Sequence, residues 1–211
     1  MTELPMFPLG SVLLPHMPLQ LRVFEERYLT MLTRMLEAES TEFGVVLIER
    51  GQEVGGGEHR FPFGTVAEIT ELGSGEGVLA VSASGGARFE VTEWLDETPY
   101  PQAVVREIDE LEWDESLRPL REQAEAVVRR ALAIASEFTE QRWASVVELS
   151  ADPVEAAWQL AGICPVGELD QLRFLRAGTM LELLTMVHEV GLTASQEYGA
   201  PWGQPEQDSA I

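Results

Sequence analysis

The sequence predicts an α+β protein: an N-terminal bent β-sheet or pseudo-barrel with one helix set in it, followed by a C-terminal helical bundle. Three observations carry this. Short β-branched or alternating runs parted by glycine-rich turns fill the first half. Apolar residues spaced three and four apart fill the second. The change of character falls near residue 113, which divides the chain into a β-rich domain over residues 1–112, a helical bundle over 113–192 and a flexible polar tail over 193–211. With 211 residues, 45% apolar and 24% charged, the chain has material for a packed core and no compositional sign of global disorder.

Taken in order, Glu25 to Glu37 sets Tyr28, Met31, Leu32, Met35 and Leu36 on one stripe and predicts a helix. Phe43-Gly44-Val45-Val46-Leu47-Ile48 is a β-branched run of buried-strand type. Gly51 and Gly55-Gly56-Gly57 mark a flexible loop. Gly64 to Leu72 and Gly77 to Ser82 are strands joined by the glycine-rich turn of a hairpin. Ala87, Phe89 and Val91 alternate with Arg88, Glu90 and Thr92, the period of a half-buried strand. Tyr100 to Ile108 is the last strand candidate.

In the second half, Leu117, Leu120, Ala124, Val127, Val128, Ala131, Leu132, Ala135 and Phe138 predict an amphipathic helix of five or six turns. Asp152-Pro153 opens the next helix, with Asp as the cap and Pro at the first helical position. Pro165 closes it, because the residue before a proline avoids the helical region. Leu169, Leu172 and Leu175, then Met180, Leu181, Leu184 and Val187, give two more stripes, and Gly191 is a fitting stop. Beyond 193 the chain is polar, with Tyr198 and Trp202 expected to tack the tail onto the body.

Asp and Glu number 36 against 14 basic residues, a formal charge of −22, and all fourteen basic residues are Arg. Without Lys, a P-loop NTPase, a Ser–Lys nucleophile pair and a chain-lysine Schiff base are excluded. The acidic excess argues against nucleic acid, whose binding needs a cationic face. Ten of the acids lie in residues 90–115 beside a single Arg106, as a negative face or a solvated linker. The lone Cys164 permits no intramolecular disulfide and reads as a buried structural thiol in a reducing compartment. No leader pattern or membrane-length apolar run is present, so a cytoplasmic protein is expected.

Signatures of catalysis are sparse. The chain has no G-x-S-x-G, no G-x-G-x-x-G and no H-E-x-x-H. His16 lies in a Pro-rich turn, His59 in a Gly-rich loop and His188 near a helix end, where it suits the carboxyl-terminal dipole. None stands at metal spacing, so neither a metal nor a cofactor is expected.

One set of segments is more specific: Leu4-Pro5-Met6-Phe7-Pro8-Leu9, Val12-Leu13-Leu14-Pro15, and Leu21-Arg22-Val23-Phe24-Glu25-Glu26-Arg27-Tyr28. It resembles the start of the N-terminal, substrate-binding domain of Lon-type AAA+ proteases, and above all the short bacterial proteins made of that domain alone. The likeness continues through Gly64 to Ile69, Gly85 to Val91, Tyr100 to Ala103, Ala157 to Ala161 and Glu168 to Leu175, about residues 3–191 in all. Gln20 departs from it, standing where many members have Pro or another apolar residue. The resemblance implies a bent six-stranded β-domain with one helix packed in it, then a helical bundle. It also implies a region that binds unfolded or damaged substrate, with the ATPase and peptidase domains expected to be missing here.

The expectation is therefore a non-catalytic module that binds extended or unfolded polypeptide, or an adaptor for a protein partner in quality control. Candidate peptide contacts are Phe24, Glu26, Arg27 and Tyr28 at the strand-to-helix junction, with Phe61 and Phe63 beside the Gly-rich loop. Core packing and local charge pairing are the competing roles for each of the six. The alternatives are a hydrolase with a scattered carboxylate or Ser/His site, and a self-associating scaffold forming a weak homodimer.

Overall fold

The computed structural model describes residues 1–49, 59–75 and 78–199. Six strands and five α-helices follow in order: β1 (Thr2–Leu9), β2 (Pro18–Val23), α1 (Glu26–Glu37), β3 (Glu42–Ile48), β4 (Arg60–Gly75), β5 (Val78–Trp94), β6 (Gln102–Ile108), α2 (Arg118–Ala135), α3 (Pro153–Ile163), α4 (Glu168–Leu175) and α5 (Met180–Gly199). The β-rich first half and the helical second half stand as the hydrophobic pattern predicts.

The sheet order is β2-β5-β4-β3-β1-β6, and β6 also pairs with β5. That extra pairing closes β1, β3, β4, β5 and β6 into a ring and leaves β2 as the free edge. Both β2 and β6 lie along the same side of β5: β2 pairs with Leu79 to Ser84, β6 with Arg88 to Trp94. The two strands expected at Gly77–Ser82 and Ala87–Val91 are thus one strand of 17 residues. It bends by slipping register, between Thr65 and Ala67 and between Ile69 and Glu71 against β4, and between Val91 and Glu93 against β6. Such bulges increase local twist and let a single strand serve two partners. The glycine-rich loop at 51–57 and residues 76–77 of the hairpin turn lie outside the described residues.

β1 and β2 carry no clean alternation, and their prolines hide them. Thr2 to Pro5 pair with β6 and Met6 to Leu9 pair with β3, so each half of β1 is bonded on a different side. Pro5 and Pro8, which lack an N–H, fit a strand used in this way.

A large apolar cluster runs from the β half into the helices, joining Tyr28, Met31, Phe43, Leu132, Trp158, Phe174 and Leu184. A smaller cluster inside the ring holds Met6, Val46, Phe89 and Val105. Arg88 ties the two halves. It is 4% exposed and donates to the carbonyls of Leu175 (2.9 Å), Ala177 (2.7 Å) and Asp109 (2.7 Å). Its guanidinium also lies over the Trp158 ring at 5.1 Å.

Asp152 caps α3 as its position predicts, accepting from the backbone N–H of Val154 (2.9 Å) and Glu155 (3.0 Å). Elsewhere the structure departs from the sequence pattern. Phe138 lies past the end of α2 and is exposed. Gly191 does not stop α5, which runs on to Gly199; a β-carbon there would stand 3.1 Å from Val127 Cγ1, so this glycine lets α5 approach α2 closely. His188 consequently lies in the interior of the helix rather than near its end. The acidic stretch is divided: Glu90, Glu93 and Glu107 lie in β5 and β6, where Arg106 pairs with Glu90, and Asp109, Glu110, Glu112 and Asp114 lie in the irregular connection to the helices. Asp114 then accepts from the Ser116 N–H at 2.8 Å, and hydrogen bonding from the Ser116 side chain, then from its N–H, lowers the Asp114 carboxyl from its ordinary value. Trp202 and residues 200–211 lie outside the described residues.

Candidate functional site: a cleft beside the edge strand

The β1–β2 connection is the first wall of the site. Its Pro and Leu residues form no regular structure, and hydrogen bonds from the sheet fix its course. Thr65 Oγ1, fully buried, donates to the Leu13 carbonyl at 2.7 Å. His16 N–H donates to the Gly85 carbonyl (2.8 Å), and Gly85 N–H donates to the Met17 carbonyl (2.9 Å). A β-carbon at Gly85 would fall 2.2 Å from the Leu14 carbonyl oxygen, so the close crossing requires glycine.

The second wall is the turn from α3 to α4. Cys164 leaves the helix in an extended conformation before Pro165, and Val166 N–H returns to the Cys164 carbonyl at 2.9 Å. The third wall is the stretch of α5 carrying Val190, Thr193 and Ala194. Gln141, Arg142 and Trp143, from the long α2–α3 connection, complete the rim. Arg129 steadies that connection by donating to the carbonyls of Ser145 (2.7 Å) and Val147 (3.0 Å).

Between these walls lies an open cleft of about 660 Å³. Leu14, Met17, Leu132 and Ile163 supply its apolar lining, and Glu168, Asp170 and Gln171 its polar side. Met17 packs onto Gly162 so closely that a β-carbon there would stand 2.5 Å from its sulfur. Pro18 and Leu19 bring the start of β2 into the lining, and Arg142 Nη2 donates to the Pro18 carbonyl at 3.0 Å.

The lining offers apolar contacts together with two carboxylates, an arginine and a few neutral polar groups. The lining includes Ser11 and Cys164 but, among the described residues, no histidine to serve either as base. Cys164 is buried, and burial pushes its thiol up to about 12, with Asp170 adding to the rise. It is a protonated, apolar-packed thiol at neutral pH. Among the described residues no group of three or more His, Cys, Asp or Glu is placed to hold a metal ion. No described helix is long and apolar enough to cross a membrane.

None of the six residues singled out in the sequence lines this cleft. Tyr28 is buried, stacks on Phe7 at 4.0 Å between ring centres, and lies beneath the Arg27 guanidinium at 4.6 Å. Arg27 also bonds Glu25 at 3.0 Å. Glu26 is exposed in the first turn of α1. Phe61 and Phe63 are half-buried against the core, with Arg176 over the Phe63 ring at 5.0 Å. Phe24 stands out, 69% exposed one residue past β2.

Sequence reasoning missed the cleft because four distant segments build it. Two of its features were visible all the same: Pro18 at the head of a strand, a mark of an edge, and Gly162 inside a helix, a mark of close approach.

Comparison with known proteins agrees with this architecture. The family model described as the ATP-dependent protease La (LON) substrate-binding domain matches residues 3–190. The chain is 27% identical over 195 residues to the Lon protease of Heliobacterium modesticaldum, covering 89% of this chain and spanning 23% of that relative's length. Among solved structures it is similar to a Lon N-terminal domain protein from Xanthomonas campestris, with 26% identity and a TM-score of 0.64, covering 89% of this chain and 97% of that one. It also shares its fold with the N-terminal domain of a Mycobacterium avium complex Lon protease, with 15% identity and a TM-score of 0.63, covering 93% and 99%.

Proposed function

We propose that this chain, which belongs to the family of LON substrate-binding domains, is a non-catalytic module that holds extended or unfolded polypeptide for protein quality control. The observation that carries the reading is the open cleft, lined by both apolar and polar side chains, between the β1–β2 connection and the helices. Clefts lined by apolar side chains with few polar groups suit side chains that a folded client would bury. Phe24, exposed past the far end of β2 from the cleft, is a separate apolar contact open to a client.

Non-catalytic action is supported by the absence of lysine from the sequence and of histidine from the described lining. A charge of −22 favours polypeptide over nucleic acid as the partner. The lone, buried thiol suits a cytoplasmic setting.

The test is fluorescence anisotropy with several labelled denatured proteins, without ATP. Binding in the micromolar range or weaker is expected. Thr193→Trp, at an exposed position of the cleft wall, should fill the mouth and weaken binding about tenfold, a loss near 1.4 kcal/mol, with an unchanged circular dichroism spectrum. No binding to any client by the folded protein would overturn the proposal. Equal binding by the Thr193→Trp variant would remove the cleft from it.

A further inference from the structure

We infer that β2 is the capture strand: an extended apolar segment with basic flanks, from another polypeptide, adds to the free edge of β2 and enters the cleft at Pro18. This deepens the peptide-binding reading above and rests on it.

The direction of the β2 backbone carries the inference. The Met17 carbonyl accepts from Gly85 and so faces β5, whereas the Pro18 carbonyl accepts from Arg142 and faces away. Backbone groups alternate sides along a strand, so Leu19 and Leu21 face β5, and Gln20 and Arg22 turn N–H and C=O outward. Among the described residues only β5 pairs with β2. Two donors and two acceptors therefore stand in a row at strand spacing, which is the complement of an extended backbone. Pro18 and Leu19 line the cleft, so a strand added here continues into it.

Charge selects the occupant. The cleft rim carries the Glu168 and Asp170 carboxylates, Asp170 paired with Arg173 at 3.0 Å, and its single described arginine, Arg142, is engaged on the Pro18 carbonyl. The whole chain bears −22, so a second copy adding edge to edge would meet like charge, whereas a basic-flanked segment meets opposite charge.

The experiment uses the unaltered protein and a synthetic peptide of alternating valine and threonine between arginine pairs. N-methylation on alternate residues removes backbone donors from one edge of the peptide at a time. One methylated series should bind about tenfold more weakly and the other should bind as the parent does. Hydrogen exchange of the Gln20 and Arg22 amides should slow on binding. A glutamate-flanked version should bind about tenfold more weakly than the arginine-flanked one.

Equal binding by both methylated series, with unchanged exchange at Gln20 and Arg22, overturns the strand-addition inference and leaves the broader reading standing. Binding of denatured proteins without binding of the peptide overturns it too. Failure of both kinds of ligand removes the broader reading as well. Protection of the two amides by concentration-dependent self-association, without peptide, assigns the edge to a second copy and overturns the inference.

Discussion

Replacing Arg88 by Met should show what holds the β half against the helices. The guanidinium is 4% exposed and donates to three carbonyls, at 2.7 to 2.9 Å, two of them at the end of α4. Burial lowers its pKa and the nearby Asp109 charge raises it, yet an arginine remains ionised at neutral pH. Two effects oppose each other. Met keeps an apolar stem over Trp158 and spares the cost of desolvating a charge. It also leaves the Leu175 and Ala177 carbonyls without their donor and removes a cation from a helix carboxyl terminus. Hydrogen bonds to a charged group contribute roughly 1.5–3 kcal/mol each, and a buried acceptor left without its donor costs about 1–3 kcal/mol. The orphaned carbonyls of Leu175 and Ala177 should win, giving a net loss of about 2–4 kcal/mol.

The assay is urea unfolding followed by tryptophan fluorescence and by far-ultraviolet circular dichroism. With an m-value of roughly 2 kcal/mol/M, the midpoint should fall by about 1–2 M. Arg88→Lys should recover only a fraction of this, because one ammonium cannot reproduce the guanidinium fork. A loss below about 1 kcal/mol for Arg88→Met, or a gain, would refute the argument that the carbonyls need this donor.

Other substitutions separate rigid from yielding contacts. Gly85→Ala sets a β-carbon 2.2 Å from a backbone oxygen, whereas Gly162→Ala meets the flexible end of Met17, so thermal melts should show the larger loss for Gly85→Ala. For Gly162→Ala we expect about 1–3 kcal/mol and, because Met17 must move, altered client binding in the anisotropy assay. Asp152→Ala removes two bonds to backbone N–H at the start of α3 and should cost about 1 kcal/mol in denaturant unfolding. For Cys164 the folded thiol titrates near 12 against an ordinary value of 9.0. The unfolded chain therefore binds fewer protons between those values, so this thiol's contribution is full below pH 9.0 and is lost as pH rises towards 12. Iodoacetamide at neutral pH should label Cys164 only after denaturation; rapid labelling of the native protein would refute its burial.

The helical half was largely legible as sequence, because a helix writes its buried face locally. Asp152, Pro153 and Pro165 bracket α3 where the chain itself sets backbone angles and hydrogen-bond partners. The strands were legible where a β-branched run is buried on both faces, as at Phe43–Ile48, or where core and solvent residues alternate, as in Tyr100–Ile108, and were hidden in β1, where different partners serve its two halves. Gly191 shows the limit of local reading: the same residue that can end a helix can also admit a neighbouring one, and only the packing of α5 on α2 decides which.

The sequence by itself determined the division into a strand half and a helical half, the excluded lysine chemistries and the character of Cys164, since composition and periodicity suffice for these. Tertiary structure decided that the sheet closes through β5–β6 while β2 stays outside as an edge. It also decided that four separated segments make one cleft and that Arg88 serves as a tie between halves instead of facing water. Those outcomes depend on which distant groups satisfy each other's hydrogen bonds and volume, a condition that no single stretch of chain encodes.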